Sequence, residues 1–513
     1  MGAKGKIILS ALAVVIGVAI FRACFLYKPQ PPPKPCHELK NHPRLSLKSN
    51  PEMLTRFLGA LSIPSISYKI HDYDGPQMKR MIDYIEQNYP FIHNSKFVKR
   101  EIVANYSLLY TIQGSDPKLR PYMLTSHLDV VPAVRSKWSS EPFEAVVKED
   151  GYIYGRGAMD AKHLTIAILE ATEFLLKSGF KPRRTLYLAF GHDEEVLGLE
   201  GAQEIARLLK ERERINRYDK LEYIIDEGLI ISKTHFPGVP HDIGLIGVSE
   251  KGYLSLRVST VGAVGHGSMP PQKTAIAKLA DVLSRFHSNT LPNFIGQGVE
   301  REMFEIFASY ADWPMKVVYA NFWLFKPFIG FVFSQNPTLN ALIRTTTAVT
   351  MIEGGTKENV LPDSASAIIN HRLHQSQSID EVIEFDRKLI DDPTIEIELN
   401  SPATQADPVS PYCDDCYGYQ LIKHSLLQVY PGTVVVPSIF LAATDSKWYK
   451  NLTDSIYRFS AIAVELEEMK CFHGHDERLS VVNYEKLLNF YHHLILNSDQ
   501  TNIKFKSEQR DEL

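Results

Sequence analysis

The chain has 513 residues, enough for two domains with substantial cores. Apolar residues make up 44%, which excludes a largely disordered chain. The 56 basic and 60 acidic side chains leave a net charge of −4, with no basic excess for nucleic acid. At the N-terminus (1–27), Lys4 and Lys6 precede IILSALAVVIGVAIF, the pattern of a signal peptide or a retained signal anchor. Entry to the secretory pathway is expected, with membrane association of type II if the segment is retained. KPQPPPKP within 28–49 reads as a polyproline linker that would hold a body away from a membrane.

Residues 50–252 alternate β-rich runs with helical spacing. YMLTSHLDVV (122–131), TLYLAF (185–190) and LEYIID (221–226) read as strands, and HLTIAILEATEFLLKSG after Asp160 as a helix. This alternation predicts the first part of a doubly wound α/β domain with a mixed sheet. The pattern changes over 253–400. GYLSLRVST, RTTTAVTMIEGG, SASAIINHRL and TIEIELNS read as strands, with TAIAKLADVLSRFH and SIDEVIEFDRKLID as helices. That β-α-β-β-α-β order predicts an inserted α+β, ferredoxin-like unit. An aromatic stretch, 290–340, interrupts it. Residues 401–497 return to the first domain, and 498–513 form a tail ending in RDEL, one Lys→Arg change from an ER-retention signal. The expected address is the ER lumen, with secretion or a vacuole as alternatives. Asn105 and Asn451 head glycosylation triplets. Cys413 and Cys416 form a C-x-x-C with no second pair, so they are a disulfide or two thiols rather than a zinc site.

Ligands of such sheets collect at the carboxyl ends of strands, and the polar clusters fall there. In SHLDVVP, His127 and Asp129 lie two apart on a strand and share a face, so Asp129 is placed to orient the histidine ring. Asp160 ends a Gly-rich turn before a helix, and Asp226 closes a strand in YIIDEG. GHDEE brings Glu194 and Glu195, and CFHGHDERL brings His473 and His475. A histidine at one strand end, or an acidic run at one helix start, is usually structural. Their joint occurrence predicts a metal centre, and imidazole with carboxylate suits zinc, with cobalt or manganese as alternatives.

HLDVVP, GRGAMDAKH, GHDEE, IIDEG, SEKGYLSL, GHGSMPP, ENVLPD and HGHDERL together resemble, in order, the motifs of the aminoacylase-1/carboxypeptidase family of di-zinc hydrolases. RTTTAVT and TDSKWYKNLTDSIYRF are similar to its branch acting on N-fatty-acyl amino acids. EKGY and the N-terminal segment are similar to the carboxypeptidase S branch. The resemblance implies a catalytic domain (50–252 and 401–497) with a lid/dimerisation insert (253–400). It implies two Zn²⁺ per subunit. His127, Asp160 and Asp226 would hold one ion; Asp160, Glu195 and His473 would hold the other. Glu194 would be the general base, and Asp129 a further catalytic residue. His266 would stabilise the oxyanion in the partner subunit of a homodimer. Arg372 and Arg344 would grip a substrate carboxylate, with Asn359 assisting. LAATDSKWY departs from the family's glycine-containing version before Thr444 and Asp445. The expected reaction is hydrolysis, or the reverse condensation, of an N-acyl amino acid. Release of C-terminal residues from short peptides is the alternative, and an inactive ER-lumenal binding protein is a third reading. The aromatic run NFWLFKPFIGFV reads either as the wall of an acyl-chain site or as packing of the insert or a dimer interface.

Overall fold

Strands that are apolar on both faces must lie between layers of helix, and two such runs form the centre of this protein. The computed structural model describes residues 3–29, 44–216, 220–233 and 236–500. It pairs YMLTSH and LYLAFG as parallel neighbours in an eight-stranded mixed sheet. Along the chain this sheet begins with β1 (Val98–Val103), β2 (Ser107–Ile112), β3 (Tyr122–His127), β4 (Leu186–Gly191), β5 (Ile224–Ser232) and β6 (Ile243–Glu250). A four-stranded antiparallel sheet follows: β7 (Gly252–Val261), β8 (Thr346–Gly354), β9 (Ser364–Leu373) and β10 (Ile395–Leu399). The chain then returns as β11 (Val434–Phe440) and β12 (Ile456–Val464). The large sheet is ordered β11-β6-β12-β5-β3-β4-β2-β1 and the small one β8-β9-β7-β10.

Among the helices are α1 (Ala3–Phe21), α2 (Lys162–Lys177), α3 (Ala202–Asn216), α4 (Ala275–Ser288), α5 (Glu300–Tyr310), α6 (Met315–Ala320), α7 (Phe322–Ser334), α8 (Ile379–Ile390) and α9 (Val481–Ser498). Helix α2 is buried almost all round, which is why HLTIAILEATEFLL is apolar rather than striped. Its buried Glu170 is offset by Arg56 and the Tyr89 hydroxyl. Helix α8 starts with a capping box: Ser378 accepts from the Glu381 amide while Glu381 reaches back to Ser378. The small unit runs β7-α4-β8-β9-α8-β10, the order expected from its periodicity.

Two expectations change. The strand read as ending at Asp226 begins at Ile224 and continues to Ser232, so Asp226 lies inside it. The aromatic stretch forms α5, α6 and α7, which pack with Val434 and Val436 of β11 and Ala23, just beyond α1, in their own apolar cluster. Cys413 and Cys416 are joined as a disulfide. The proline run from residue 30, Cys36 and the RDEL tail lie outside the described residues.

Candidate active site

Because β3 is parallel to both β4 and β5, the loops after these strands converge on one edge of the sheet. His127 closes β3. Its Nδ1 lies 3.2 Å from Asp129 Oδ1 and 2.9 Å from the Asp129 carbonyl. Held from behind in this way, the ring presents Nε2 to Asp160 Oδ1 and Glu227 Oε2, each at 3.2 Å. The other Asp160 oxygen, Oδ2, is 3.0 Å from His473 Nε2, which is also 3.0 Å from Glu195 Oε2. One carboxylate therefore stands between two histidines, with a glutamate beside each. Asp129 does a second job: its two oxygens accept the amide N–H groups of Glu194 and Glu195, each at 3.2 Å.

Beside one predicted ligand, Asp226, the structure brings a second acid to the cluster. Of the neighbours Asp226 and Glu227, one brings its carboxylate within 3.2 Å of His127 Nε2. It is Glu227, and its carboxylate clusters with His127 and Glu194. Asp226 Oδ1 accepts the Glu227 amide at 2.8 Å, and its buried Oδ2 has no hydrogen-bond partner. The pairing of β5 with β12 slips just after Asp226, a bulge that lets Glu227 reach the cluster. The glycine of IIDEG belongs to that bulge. Gly228 has φ +151°, and a Cβ there would lie 2.5 Å from Arg458 Cβ.

Two positioning carboxylates were not singled out in the sequence. Glu477 Oε1 accepts the amides of Met159 at 2.6 Å and Asp160 at 3.1 Å. Its Oε2 accepts from Gly157 and from Arg156 at 3.2 and 2.7 Å. Arg156 also donates to the Gly474 carbonyl at 2.9 Å, so the Asp160 loop and the His473 loop are tied together. Asp193 accepts the amides of Glu200 and Gly201, each at 2.8 Å, fixing the turn into α3. Both carboxylates sit inside quoted motifs, but only the fold brings their backbone donors to them.

The electrostatics are those of a cation site. Burial pushes Glu195 up to about 7 and Glu227 up to about 8, and Asp160 adds to both. Burial, with Glu227 beside it, drives Glu194 well above the usual carboxylate range. Asp160 goes the other way: against its burial, hydrogen bonds from His127 and His473 hold it well below. Burial would depress His127, yet Glu227, Asp129 and Asp160 hold it well above the imidazole range. Hydrogen bonds to Asp160 and Glu195 raise His473 to about 10. Protons are thus retained to offset crowded negative charge. A divalent cation would offset it better, and carboxylate oxygens with imidazole nitrogens are the donors a metal such as zinc takes. Glu195 Oε1 is buried without a hydrogen-bond partner, consistent with a ligand atom.

Beside the cluster lies a cleft of about 380 Å³ whose walls include Met159, Leu164, Leu229, Ile230, Phe440 and Phe472. Ala442 and Ala443, from the departing LAATDSKWY segment, also line it. Thr444 instead bonds Glu250, and Asp445 is buried against Gly191 and Gly198. His163 reaches the cleft and donates to or accepts from Ser460 Oγ at 3.1 Å; burial pushes it down to about 3, so it is neutral. No residue of 322–333 lines this cleft, so the aromatic run does not form its wall. Arg344 is also not a cleft residue. It is buried, and its two Nη atoms donate to Thr290 Oγ1, the Leu291 carbonyl and Ser334 Oγ inside the insert. Arg372 lies over the Tyr253 ring at 5.1 Å. His266 is exposed and pairs in register with Val360, next to Asn359, on the four-stranded unit rather than in its own chain's cleft. His475 is not among the residues that meet the cluster.

The profile of peptidase family M20/M25/M40 matches residues 123–497. The chain belongs to this family. It is 39% identical over 460 residues to the N-fatty-acyl-amino acid synthase/hydrolase PM20D1 of Xenopus tropicalis, covering 90% of this chain and 88% of that protein. It is 37% identical over 458 residues to the probable carboxypeptidase S-like 2 of Dictyostelium discoideum, covering 88% and 86%. Among solved structures, the M20 metallo-carboxypeptidase Sso-CP2 of Sulfolobus solfataricus superposes with a TM-score of 0.63 at 18% identity, covering 87% of this chain and 99% of that one. As an M20 member the chain is a metal-dependent hydrolase with a mixed α/β sheet domain and a second, smaller unit.

Proposed function

We propose that this M20 hydrolase holds two zinc ions and cleaves, or by reversal forms, the amide bond of N-acyl amino acids with a long apolar acyl group. The observation that carries the metal count is Asp160, whose two oxygens face two different histidines. We assign His127, Asp160 and Glu227 to one ion, and Asp160, Glu195 and His473 to the other. Bound there, the ions supply Lewis-acid polarisation of the scissile carbonyl. Glu194 takes a proton from the attacking water and delivers it to the leaving nitrogen. Asp129 fixes the His127 ring and the backbone of residues 194–195, so base and ligands keep their spacing. Arg372 is assigned to the substrate carboxylate, and His266 with Asn359 to the cleft of a second copy in a homodimer.

The apolar wall of the cleft supports the acyl assignment. Its volume falls within the roughly 300–1,000 Å³ of small-molecule sites, and its side chains offer contact rather than hydrogen bonds. The name of the Xenopus relative agrees with this chemistry, whereas that of the Dictyostelium relative favours peptide cleavage. A secretory address rests on the apolar α1 segment.

The test is a substrate panel: a long-chain acyl-amino acid, the acetyl counterpart and a dipeptide, each with zinc and beside Glu194→Gln. Turnover of the long-chain substrate, lost in Glu194→Gln, is expected. Preference for the dipeptide would replace this reading with a carboxypeptidase. Bound zinc with no turnover would favour a binding protein.

A further inference from the structure

The stretch Lys6–Leu26 is long and apolar enough to cross a bilayer, and only 11% of its most apolar window is buried. That exposure distinguishes it from a core helix. Its far end, however, is built into the protein. Ala19 and Ala23 are buried. Asn321 Nδ2 donates to the Ala19 carbonyl at 2.9 Å, and Arg22 Nε donates to the Ala320 carbonyl at 3.1 Å. The body is therefore fastened to this helix at α6 and α7, before the proline run begins.

Helix α7 continues the same apolar surface. Phe322, Ile329 and Phe333 face inward. On the other side Trp323, Leu324, Phe328, Phe331 and Val332 are 40–65% exposed. Lys326 is the one charged residue of the helix. An exposed aromatic face of this kind is rare on a soluble surface. At its edge, between the end of the apolar helix and α7, lies a cavity of about 350 Å³ lined by Arg22, Tyr27, Trp323, Lys326 and the Arg301–Glu305 ion pair. Basic groups with tryptophan and tyrosine are the side chains that settle at the level of lipid headgroups.

We propose that the exposed face of α7 embeds in the leaflet of a phospholipid bilayer beside the α1 span, so that the hydrolase body lies on the membrane at two contacts. Continuity with a helix of membrane-spanning length selects lipid over a second copy of the chain. The rim of basic and aromatic groups fits the phosphate level of that leaflet. The inference stands whatever the substrate proves to be.

The full chain, reconstituted into phosphatidylcholine vesicles with brominated acyl chains, tests it through tryptophan emission. The chain has four tryptophans. Bromine should quench the wild type, and much of that quenching should be lost in Trp323→Phe but kept in Trp448→Phe. Phe331→Trp in the Trp323→Phe background should restore it, which guards against a variant that misfolds. Equal quenching in wild type and Trp323→Phe would overturn the proposal. So would unquenched Trp323 in a dimer that Phe328→Asp dissociates, which would place a second copy on this face.

Discussion

The two halves of the metal cluster are built differently. His127 and Glu227 sit on adjacent central strands, and the His127 side chain is 1% exposed. His473 sits on a loop with a positive φ of 52°, and its side chain is 56% exposed. The strand-held half is fixed by hydrogen-bond ladders on both sides. The loop-held half depends on Glu477 and Arg156 for its place. One half of the cluster is therefore rigid and closed, while the other is open to solvent and maintained by a buried ion pair.

The largest expected effect tests what both halves serve. Glu194→Gln should lower kcat by about 10²–10⁴ while metal content stays unchanged, as expected for loss of a proton carrier rather than a ligand. Next, Glu227→Ala should cost the strand-held ion, whereas Asp226→Asn should retain it; elemental analysis after desalting separates the two. The reverse outcome would make Asp226 the ligand. Glu477→Gln should weaken the loop-held ion by about 10–100-fold, the usual cost of losing a group that orients ligands. Chelator titration should then release one ion per chain earlier than in wild type.

The smallest effect is the pH response. Folding raises Glu195 to about 7 and Glu227 to about 8 in the metal-free protein, through burial first. A carboxyl raised by folding stabilises the protein below its ordinary value near ~4.3, and that contribution is lost as pH rises through the folded value. The metal-free melting temperature should therefore fall between pH 5 and 8, and added zinc should flatten the fall. Scanning calorimetry at several pH values reads both. A metal-free melting point that climbs over this range would contradict the crowded-carboxylate description.

Much of this was legible in the sequence, for physical reasons. His127, Asp160 and Glu195 were recognisable because each follows an apolar run or a turn with clear periodicity. The place of Glu227 in the cluster was not, because it depends on a bulge opposite Arg458. Helix α8 was legible in SIDEVIEFDRKLID, since helical spacing is a local signal. Nothing local reveals that Thr290, Leu291 and Ser334 fold around Arg344. The packing of α5 to α7 depends on partners as distant as Ala23 and Val434, which periodicity does not encode.

The Arg156–Glu477 pair joins residues 321 positions apart. Strand β12 likewise contacts both β5 and β6, although it is made more than 200 residues later. Loop closure over such separations is slow and comes late in folding. A nascent chain emerging from the ribosome has strands β3 to β6 but neither the last strand between them nor His473. Until synthesis is nearly complete it carries exposed strand edges and a half-formed set of acids. Such exposed edges are the surfaces on which folding intermediates aggregate, and a chain stalled before residue 477 lacks the carboxylate that holds the Asp160 loop.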